Sequence, residues 1–198
     1  MGKNQHTIYG INGSAAILSS KDYKIIDIFI QSGSPAERDG NITRALGQHG
    51  GHIKFLKPTH FKSKYSKWRT QGIVVTFNGI IEQSIPSFKN KTGNIGLLIL
   101  DRIEDPQNMG QIIRTAECAG IEGIIIPKHE SCGVTDTVIQ VSQGAFTQMP
   151  IYEVNNLHQT ITNLKNEDFW VIAMENSLKA KEWHKIDCDY DYFARCPV

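Results

Sequence analysis

The sequence predicts an α/β protein built from two units, and two patterns lead to this prediction. Short runs of β-branched and other apolar residues alternate with segments of helical periodicity along most of the chain. The alternation is interrupted over residues 82–94, where Pro, Gly, Asn and Ser collect and the periodicity is lost. We therefore predict a first domain at 1–81, a linker at 82–94 and a second domain at 95–198.

The charge changes sign at the same place, which supports the division. Residues 1–91 hold 13 Lys and Arg against 5 Asp and Glu, a net charge of +8. Residues 92–198 hold 8 against 15, a net charge of −7. A basic first unit is suited to a polyanionic partner.

In the first unit, strands are predicted over 24–30, 51–56 and 72–77 because each run is apolar and rich in β-branched residues. A helix is predicted to begin at Ser34 and Pro35, since serine is a common N-cap and proline suits the first helical turn. Strands separated by helices predict α/β layering.

In the second unit the same alternation continues with longer apolar runs. Helices are predicted after Asn108, around 135–142 and at 156–165, and strands are predicted at 95–100, 122–127, 149–154 and 169–174. Continuous apolar strands separated by helices indicate a parallel sheet covered on both faces. Ligands of such sheets bind beyond the carboxyl ends of the strands.

Composition excludes several classes of protein. No apolar run is long enough to cross a bilayer and no signal-peptide core is present, so we expect no membrane association. The four cysteines have no metal-finger spacing, which favours reduced thiols and a cytoplasmic location. No metal site is expected: His49, His52 and His60 lack ligands at suitable spacing, and the acidic run 187–191 has Tyr192 where a calcium loop needs glycine.

The stretch at 101–120, DRIEDPQNMGQIIRTAECAG, crowds polar groups at the start of an amphipathic helix. Asn108 stands where an N-cap would, Gly110 would let a neighbour approach, and Gly120 would end the helix. Arg114 points away from the apolar stripe. Two interpretations remain open, a capped helix with a solvated arginine or a group of amides and a guanidinium that orients a phosphate or ribose.

This stretch resembles the first signature of the SpoU (TrmH-like) family of RNA ribose 2′-O-methyltransferases, approximately D-P-x-N-x-G-x-x-x-R-T-A-x-x-x-G. Eight residues match that pattern: Asp105, Pro106, Asn108, Gly110, Arg114, Thr115, Ala116 and Gly120. SQGAF at 142–146 is similar to the family's small-residue S-x-G-A segment, and residues 8–20 resemble the start of its L30e-like substrate-binding domain.

The resemblance implies an L30e-like RNA-binding domain followed by a SPOUT-type α/β knot that dimerises and binds S-adenosylmethionine. It places Asn108 and Arg114 in the catalytic site. A guanidinium can hold the phosphate next to the target ribose and favour the developing alkoxide. We therefore expect Arg114 to position that phosphate and to stabilise the alkoxide, and Asn108 to orient Arg114 or the loop around it. The likeness is to members that methylate a guanosine of 23S rRNA.

The chain departs from the family pattern near its end. The Gly/Glu-rich and Ser-Leu-Asn-Val signatures, which form the knot and most of the cofactor pocket, are absent, so we expect a truncated domain with an incomplete pocket and a compromised homodimer interface. Met174 and Glu175, at the end of the predicted strand 169–174, are the remaining candidates for the cofactor rim.

A basic and aromatic segment at 52–70 is the candidate RNA-binding surface, since cations neutralise phosphates and aromatic faces stack on bases. Its candidate contacts are Lys54, Lys57, Lys62, Lys64, Lys67, Trp68 and Arg69. A solvated charged face is the alternative, with Phe55 and Phe61 in the core. We expect an RNA 2′-O-methyltransferase; the alternative is a non-catalytic RNA-binding module or a remnant of such an enzyme.

Overall fold

A computed structural model describes residues 4–174, which form two four-stranded sheets with helices packed against them. The first sheet and its helices take up residues 5–78. Their bounds, in chain order, are β1 (Gln5–Tyr9), α1 (Ile11–Ser19), β2 (Lys24–Gln31), α2 (Pro35–Arg38), α3 (Gly40–Leu46), β3 (Ile53–Leu56), α4 (Pro58–Tyr65) and β4 (Ile73–Asn78).

The first sheet is mixed and has the strand order β1-β4-β2-β3. Strand β4 pairs antiparallel with both β1 and β2, and β2 pairs parallel with β3. The inner position suits β4 because Ile73, Val75 and Phe77 are fully buried. All three predicted strands are confirmed, and Ser34 caps α2 as predicted, accepting a hydrogen bond from the backbone N of Glu37.

The second sheet is entirely parallel, as the sequence predicts. Its elements, in chain order, are β5 (Glu82–Gln83), β6 (Leu97–Ile99), α5 (Pro106–Cys118), β7 (Gly123–Pro127), α6 (Asp136–Val141), β8 (Ile151–Val154) and α7 (Leu157–Lys165). The strand order is β5-β8-β7-β6. Residues Ile124, Ile125 and Ile126 on β7 are buried, which is expected for an inner strand of a parallel sheet covered on both faces.

Two segments differ in detail from the sequence expectation. Within the predicted linker 82–94, Glu82 and Gln83 form the edge strand β5 beside β8, and residues 84–94 contain no helix or strand. The strand predicted at 169–174 is wrong: Phe169 forms a single bridge, and no strand follows it up to Met174. An apolar run becomes a strand only where a neighbouring strand pairs with it, and the described part of the chain supplies no ladder there.

The two sheets share one hydrophobic core. Ile8 and Phe77 of the first sheet lie in the same buried cluster as Met109 and Phe146 of the second unit. A smaller cluster around Phe88 covers the other side of the second sheet. None of the helices within residues 4–174 has both the length and the apolar content that crossing a bilayer requires.

Candidate functional site

Helix α5 begins three residues earlier than the predicted cap implies. Asp105 is the N-cap, because its side chain accepts a hydrogen bond from the backbone N of Gln107 at 2.9 Å. Pro106 is the first helical residue, a position that tolerates the missing N–H of proline. The prediction that Asn108 is the N-cap is therefore wrong, and Asn108 is an exposed residue in the first turn.

The end of α5 has the geometry predicted for Gly120. The backbone N of Gly120 donates to the carbonyl of Glu117 at 3.1 Å, and that of Ile121 donates to the carbonyl of Ala116 at 3.0 Å. This pair of hydrogen bonds is a Schellman motif, which requires a left-handed residue at its centre. Gly120 supplies it with φ 75°.

The buried face of α5 presses against α6. Met109, Gly110, Ile113 and Ala116 are buried on it. A Cβ added at Gly110 would lie 2.6 Å from the Cβ of Val141, so only glycine allows this approach. The predicted role of Gly110 in close packing is confirmed.

Arg114 lies on the opposite, solvent-facing side of the same helix, as predicted. Within residues 4–174 its guanidinium makes no hydrogen bond or ion pair with a protein group. Asn108 is also exposed, but the structure does not bring the two side chains together. They are six positions apart, about 9 Å along the helix axis, and no hydrogen bond links them in the described region. Helix α5 begins at the carboxyl edge of the second sheet and runs back from it. Asn108, in the first turn, therefore lies near that edge, whereas Arg114 does not.

Arg114 lines a cleft between helices α1 and α5, which we call the α1–α5 cleft. The cavity has a volume of about 310 Å³. Arg114, Glu117 and Cys118 form the wall supplied by α5, and Asn12, Ala16 and Ser19 form the wall supplied by α1. The turn at 142–148 closes its end. The cleft is therefore built by both sheet units.

The S-x-G-A segment forms this closing turn. Ser142 is buried and donates its hydroxyl to the carbonyl of Ile139 at 2.8 Å, which ends α6. Gln143 and Gly144 both have positive φ, 53° and 97°. A Cβ at Gly144 would lie 2.5 Å from the Cβ of Ala16, so the small residues of this segment allow α1 to pack directly on the turn.

In the basic segment the aromatic rings stack on each other. Trp68 is stacked on Tyr9 with 5.0 Å between ring centroids and on Tyr65 with 5.7 Å. The prediction that Phe61 belongs to the core is confirmed, whereas the same prediction for Phe55 is wrong, because Phe55 is 56% exposed. The short strand β3 carries Phe55 at the edge of the first sheet, where little covers it.

The cations of the segment fall into two groups. Lys54 is already paired with Asp27, and Lys64 lies over the ring of Phe29 at 3.9 Å from its centroid. The others are exposed side chains for which the described residues offer no ion-pair partner: Lys57, Lys62, Lys67 and Arg69. Lys62 also borders a second cavity of about 460 Å³ beside Tyr65 and Trp68.

The predicted cofactor rim is not a pocket in the described part of the chain. Met174 is 90% exposed and lines neither cavity, and Glu175 lies outside the described residues. S-adenosylmethionine needs walls around its adenine and its sulfonium methyl, and residues 169–174 do not supply them. Met174, the part of the predicted rim that the structure describes, therefore forms no wall of a cofactor pocket with its described neighbours.

Two of the three histidines noted in the sequence, His49 and His52, have structural contacts. His49 hydrogen-bonds through Nε2 to the carbonyl of Leu18, and His52 through Nδ1 to the carbonyl of Ile26, both at 2.9 Å. Within residues 4–174, no three His, Cys, Asp or Glu side chains come together as metal ligands. The acidic run at 187–191 lies outside the described residues.

Comparison with known proteins decides the family. The model of the SpoU rRNA methylase family matches residues 96–195. The chain belongs to this family. It is also 32% identical over 174 residues to the 23S rRNA (guanosine-2′-O-)-methyltransferase RlmB of Shewanella oneidensis, an alignment covering 86% of this chain and 71% of that protein.

Solved structures of low identity share the fold of this SpoU family member. A TrmH-family protein from Porphyromonas gingivalis has a TM-score of 0.62 at 21% identity, over 83% of this chain and 60% of that one. An AdoMet-bound rRNA methyltransferase from Sinorhizobium meliloti has a TM-score of 0.58 at 21% identity, over 83% and 59%. The predicted fold class is thereby confirmed, and the chain spans about 60% of the length of these solved chains.

Sequence reasoning missed several residues of the α1–α5 cleft. Asn12, Ser19, Glu117 and Gln148 line it beside Arg114. The spacing of residues 12, 16 and 19 could have shown that they share one face of a helix. Nothing in the sequence indicates that this face lies opposite Arg114, since that depends on how the two units dock.

Proposed function

We propose that this SpoU family member acts as an RNA ribose 2′-O-methyltransferase that uses S-adenosylmethionine. The observation that carries the proposal is the exposed Arg114 in the α1–α5 cleft, which has no protein partner in the described region and shares the cleft with Glu117 and several uncharged polar side chains. A guanidinium in such a setting is available to an anionic ligand. The RNA and cofactor named for the relatives support the same activity.

The chemistry assigns Arg114 an electrostatic role. When bound, S-adenosylmethionine would supply the methyl group of its sulfonium. Transfer would break the C–S bond, form a C–O bond at the ribose 2′-oxygen, leave S-adenosylhomocysteine and pass the hydroxyl proton to solvent. Arg114 would bind the neighbouring RNA phosphate through two N–H groups and stabilise the negative charge that develops on the ribose 2′-oxygen. With its very high pKa, arginine does not serve as the base.

Asn108 has a separate place in the proposal. It lies near the carboxyl edge of the second sheet, about 9 Å along the helix from Arg114. We assign it to the loop that leads into α5 rather than to the orientation of the guanidinium. Its amide can both donate and accept hydrogen bonds, which suits contact with a ligand or with that loop.

The basic segment is proposed as the surface that gathers RNA. Lys57, Lys62, Lys67 and Arg69 present exposed charges, in keeping with the +8 charge of residues 1–91. Tyr9 and Tyr65 both stack on Trp68, so part of its ring is already covered by protein contacts, while the side chain remains 41% exposed. Binding here would be mainly electrostatic and would weaken as salt rises.

We extend the proposal to a guanosine of 23S rRNA as the target, a cytoplasmic location and a homodimer as the working form. The choice of guanosine rests on the similarity to the guanosine-2′-O-methyltransferase of Shewanella oneidensis. The location and the dimer follow from the thiol content and from the family resemblance, respectively. Gel filtration with light scattering tests the dimer.

Methyl transfer from tritiated S-adenosylmethionine to unmodified 23S rRNA tests the activity. Wild-type protein should label the RNA, and Arg114→Ala should lower the rate by about 10²- to 10³-fold, the usual loss for one stabilising donor. Arg44→Ala removes another exposed helical arginine and should leave the rate unchanged. RNA binding with no label from the wild-type protein would instead show a binding module, and equal labelling by both arginine variants would remove Arg114 from the mechanism.

A further inference from the structure

One wall of the α1–α5 cleft comes from the first unit, although the family signature lies wholly in the second. Asn12, Ala16 and Ser19 follow each other at steps of four and three residues and so share one face of α1. That face lies across the cavity from Arg114 and Glu117. The cleft is thus incomplete without the N-terminal half of the chain.

Specific contacts between the units fix this wall in place. The side-chain amide of Gln140 on α6 pairs with both backbone groups of Tyr9, accepting from its N at 3.0 Å and donating to its carbonyl at 2.9 Å. His6 lies 3.1 Å from Asp136 beside that pair. Together with the close approach of Gly144 to Ala16, these contacts hold α1 at a defined distance from α5.

The polar groups of the cleft differ in their availability. Gln143 donates to the carbonyl of Gln140, and Thr147 donates to that of Gly144. By contrast, in the described region the side chains of Asn12, Ser19 and Gln148 make no hydrogen bond to a protein group. These free groups, together with Arg114, leave the cleft able to bind a ligand that carries an anion and a hydrogen-bonding ring.

The size and charge of the cleft restrict that ligand. A volume of about 310 Å³ is at the small end of the range for small-molecule sites, so it admits a single nucleotide and excludes a duplex. Arg114 provides the positive charge for a phosphate, and Glu117 on the same wall offsets it, so the lining favours a ligand with one phosphate over a polyanion. The amide of Asn12 offers both a donor and an acceptor, as an edge of a nucleic-acid base requires.

We propose that the α1–α5 cleft seats one nucleotide of the RNA substrate, with its phosphate on Arg114 and its base against α1, where Asn12 binds the base edge. The proposal rests on the proposed function and adds a substrate-binding residue from the first unit. Docking of the units thereby becomes a condition for holding the target nucleotide.

Two probes separate the phosphate contact from the base contact. ¹⁵N-labelled full chain is titrated with guanosine 5′-monophosphate and, separately, with ribose 5-phosphate, while amide shifts are followed by NMR. Asn12→Ala should weaken the nucleotide about fivefold, the effect of one lost hydrogen bond, and leave ribose 5-phosphate unchanged. Arg114→Ala should weaken both probes. The control Asn41→Ala removes an exposed asparagine at the equivalent second position of α3 and should change neither.

The proposal is overturned if guanosine 5′-monophosphate causes no shifts at the cleft, or if Asn12→Ala and Asn41→Ala bind it equally well. The methyl-transfer assay is read independently. Label transferred by the wild-type protein without nucleotide shifts in the cleft would leave the enzyme activity standing and remove this site. Nucleotide binding in the cleft that depends on Asn12, without methyl transfer to RNA, would keep this site and remove the proposed methyltransferase activity.

Discussion

Gly110 shows how a residue of the family signature can serve packing rather than chemistry. Alanine at this position would place its Cβ 2.6 Å from the Cβ of Val141 and 3.1 Å from the carbonyl oxygen of Val138. Because both neighbours belong to the core helix α6, α5 would have to shift. Part of the signature therefore exists to bring α5 against α6 and so to set the position of Arg114.

We expect Gly110→Ala to lower the free energy of unfolding by about 1–3 kcal/mol, the usual effect of overpacking a core. Urea denaturation measures the change. Gly40→Ala is the matched control: it is also a helical glycine, but no atom lies within 4 Å of its added Cβ, so its stability should be unchanged or slightly higher. Equal stability of the two variants would contradict the role given to Gly110.

Tyr23 gives the protein a pH-dependent stability at the alkaline end. Burial, with smaller contributions from the carboxylates of Asp22 and Glu82, raises the pKa of Tyr23 to about 12. Its ring packs against Phe77 and Phe146, from both units. In the unfolded state the phenol has an ordinary pKa near 10 and loses its proton above that pH, whereas the folded state keeps it protonated up to about pH 12. The free energy of unfolding should therefore fall as pH rises from about 10 to 12.

The measurement is urea unfolding at pH 9 and pH 11 for the wild type and Tyr23→Phe. The phenylalanine variant keeps the ring but has no proton to lose, so its stability should fall less between the two pH values. Other tyrosines titrate in both proteins and cancel in the comparison. An equal fall in both would show that the Tyr23 hydroxyl is not held in its protonated form by the fold.

At the scale of elements, the start of α5 divides the signature between structure and function. Asp105 caps the helix and Pro106 occupies its first position, so two of the matching residues are explained by helix formation. Asn108 is exposed and caps nothing. Its presence in the signature is therefore better explained by a ligand or loop contact than by helix stability.

The two roles can be separated by mutation. Asp105→Ala should lower the free energy of unfolding by about 1 kcal/mol, since the backbone N of Gln107 loses its acceptor, and Asp105→Asn should retain most of the stability. Asn108→Ala should leave stability unchanged. Thermal unfolding by circular dichroism gives all three values, and a larger loss for Asn108→Ala than for Asp105→Ala would restore Asn108 as the cap.

The elements show what sequence alone could predict. Strands such as β2 and β7 were predictable because their apolar runs are long and lie between clear turn signals. The cap of α5 was misassigned because aspartate and asparagine are both good N-caps and only the proline at 106 decides between them. The run at 169–174 has strand composition, but pairing depends on a neighbour that composition does not reveal.

At the scale of the whole molecule, the sequence predicts a boundary between two units, but it does not predict how the two sheets of the structure dock. Charge and periodicity both change within residues 82–94. The contact between Tyr9 and Gln140 joins residues 131 positions apart and involves an ordinary helical glutamine, so no local pattern marks it. The α1–α5 cleft follows from that contact, and its α1 wall was consequently missed.

The docking predicts a specific weak point. Gln140→Ala leaves the backbone N–H and carbonyl of Tyr9 without their partners at the edge of the first sheet, so we expect a loss of about 1–3 kcal/mol in unfolding free energy and faster hydrogen exchange of the Tyr9 amide. The control Gln159→Ala removes a glutamine whose side chain bonds only to Asn163 on the surface of α7, so it should change neither the stability nor the Tyr9 exchange.

If the units act as one body, the effect of Gln140→Ala should also reach the cleft. Hydrogen exchange of Asn12 and neighbouring α1 amides should rise, and nucleotide binding should weaken although Gln140 does not line the cleft. Unchanged exchange at Tyr9 in Gln140→Ala would show that the shared core alone holds the units together.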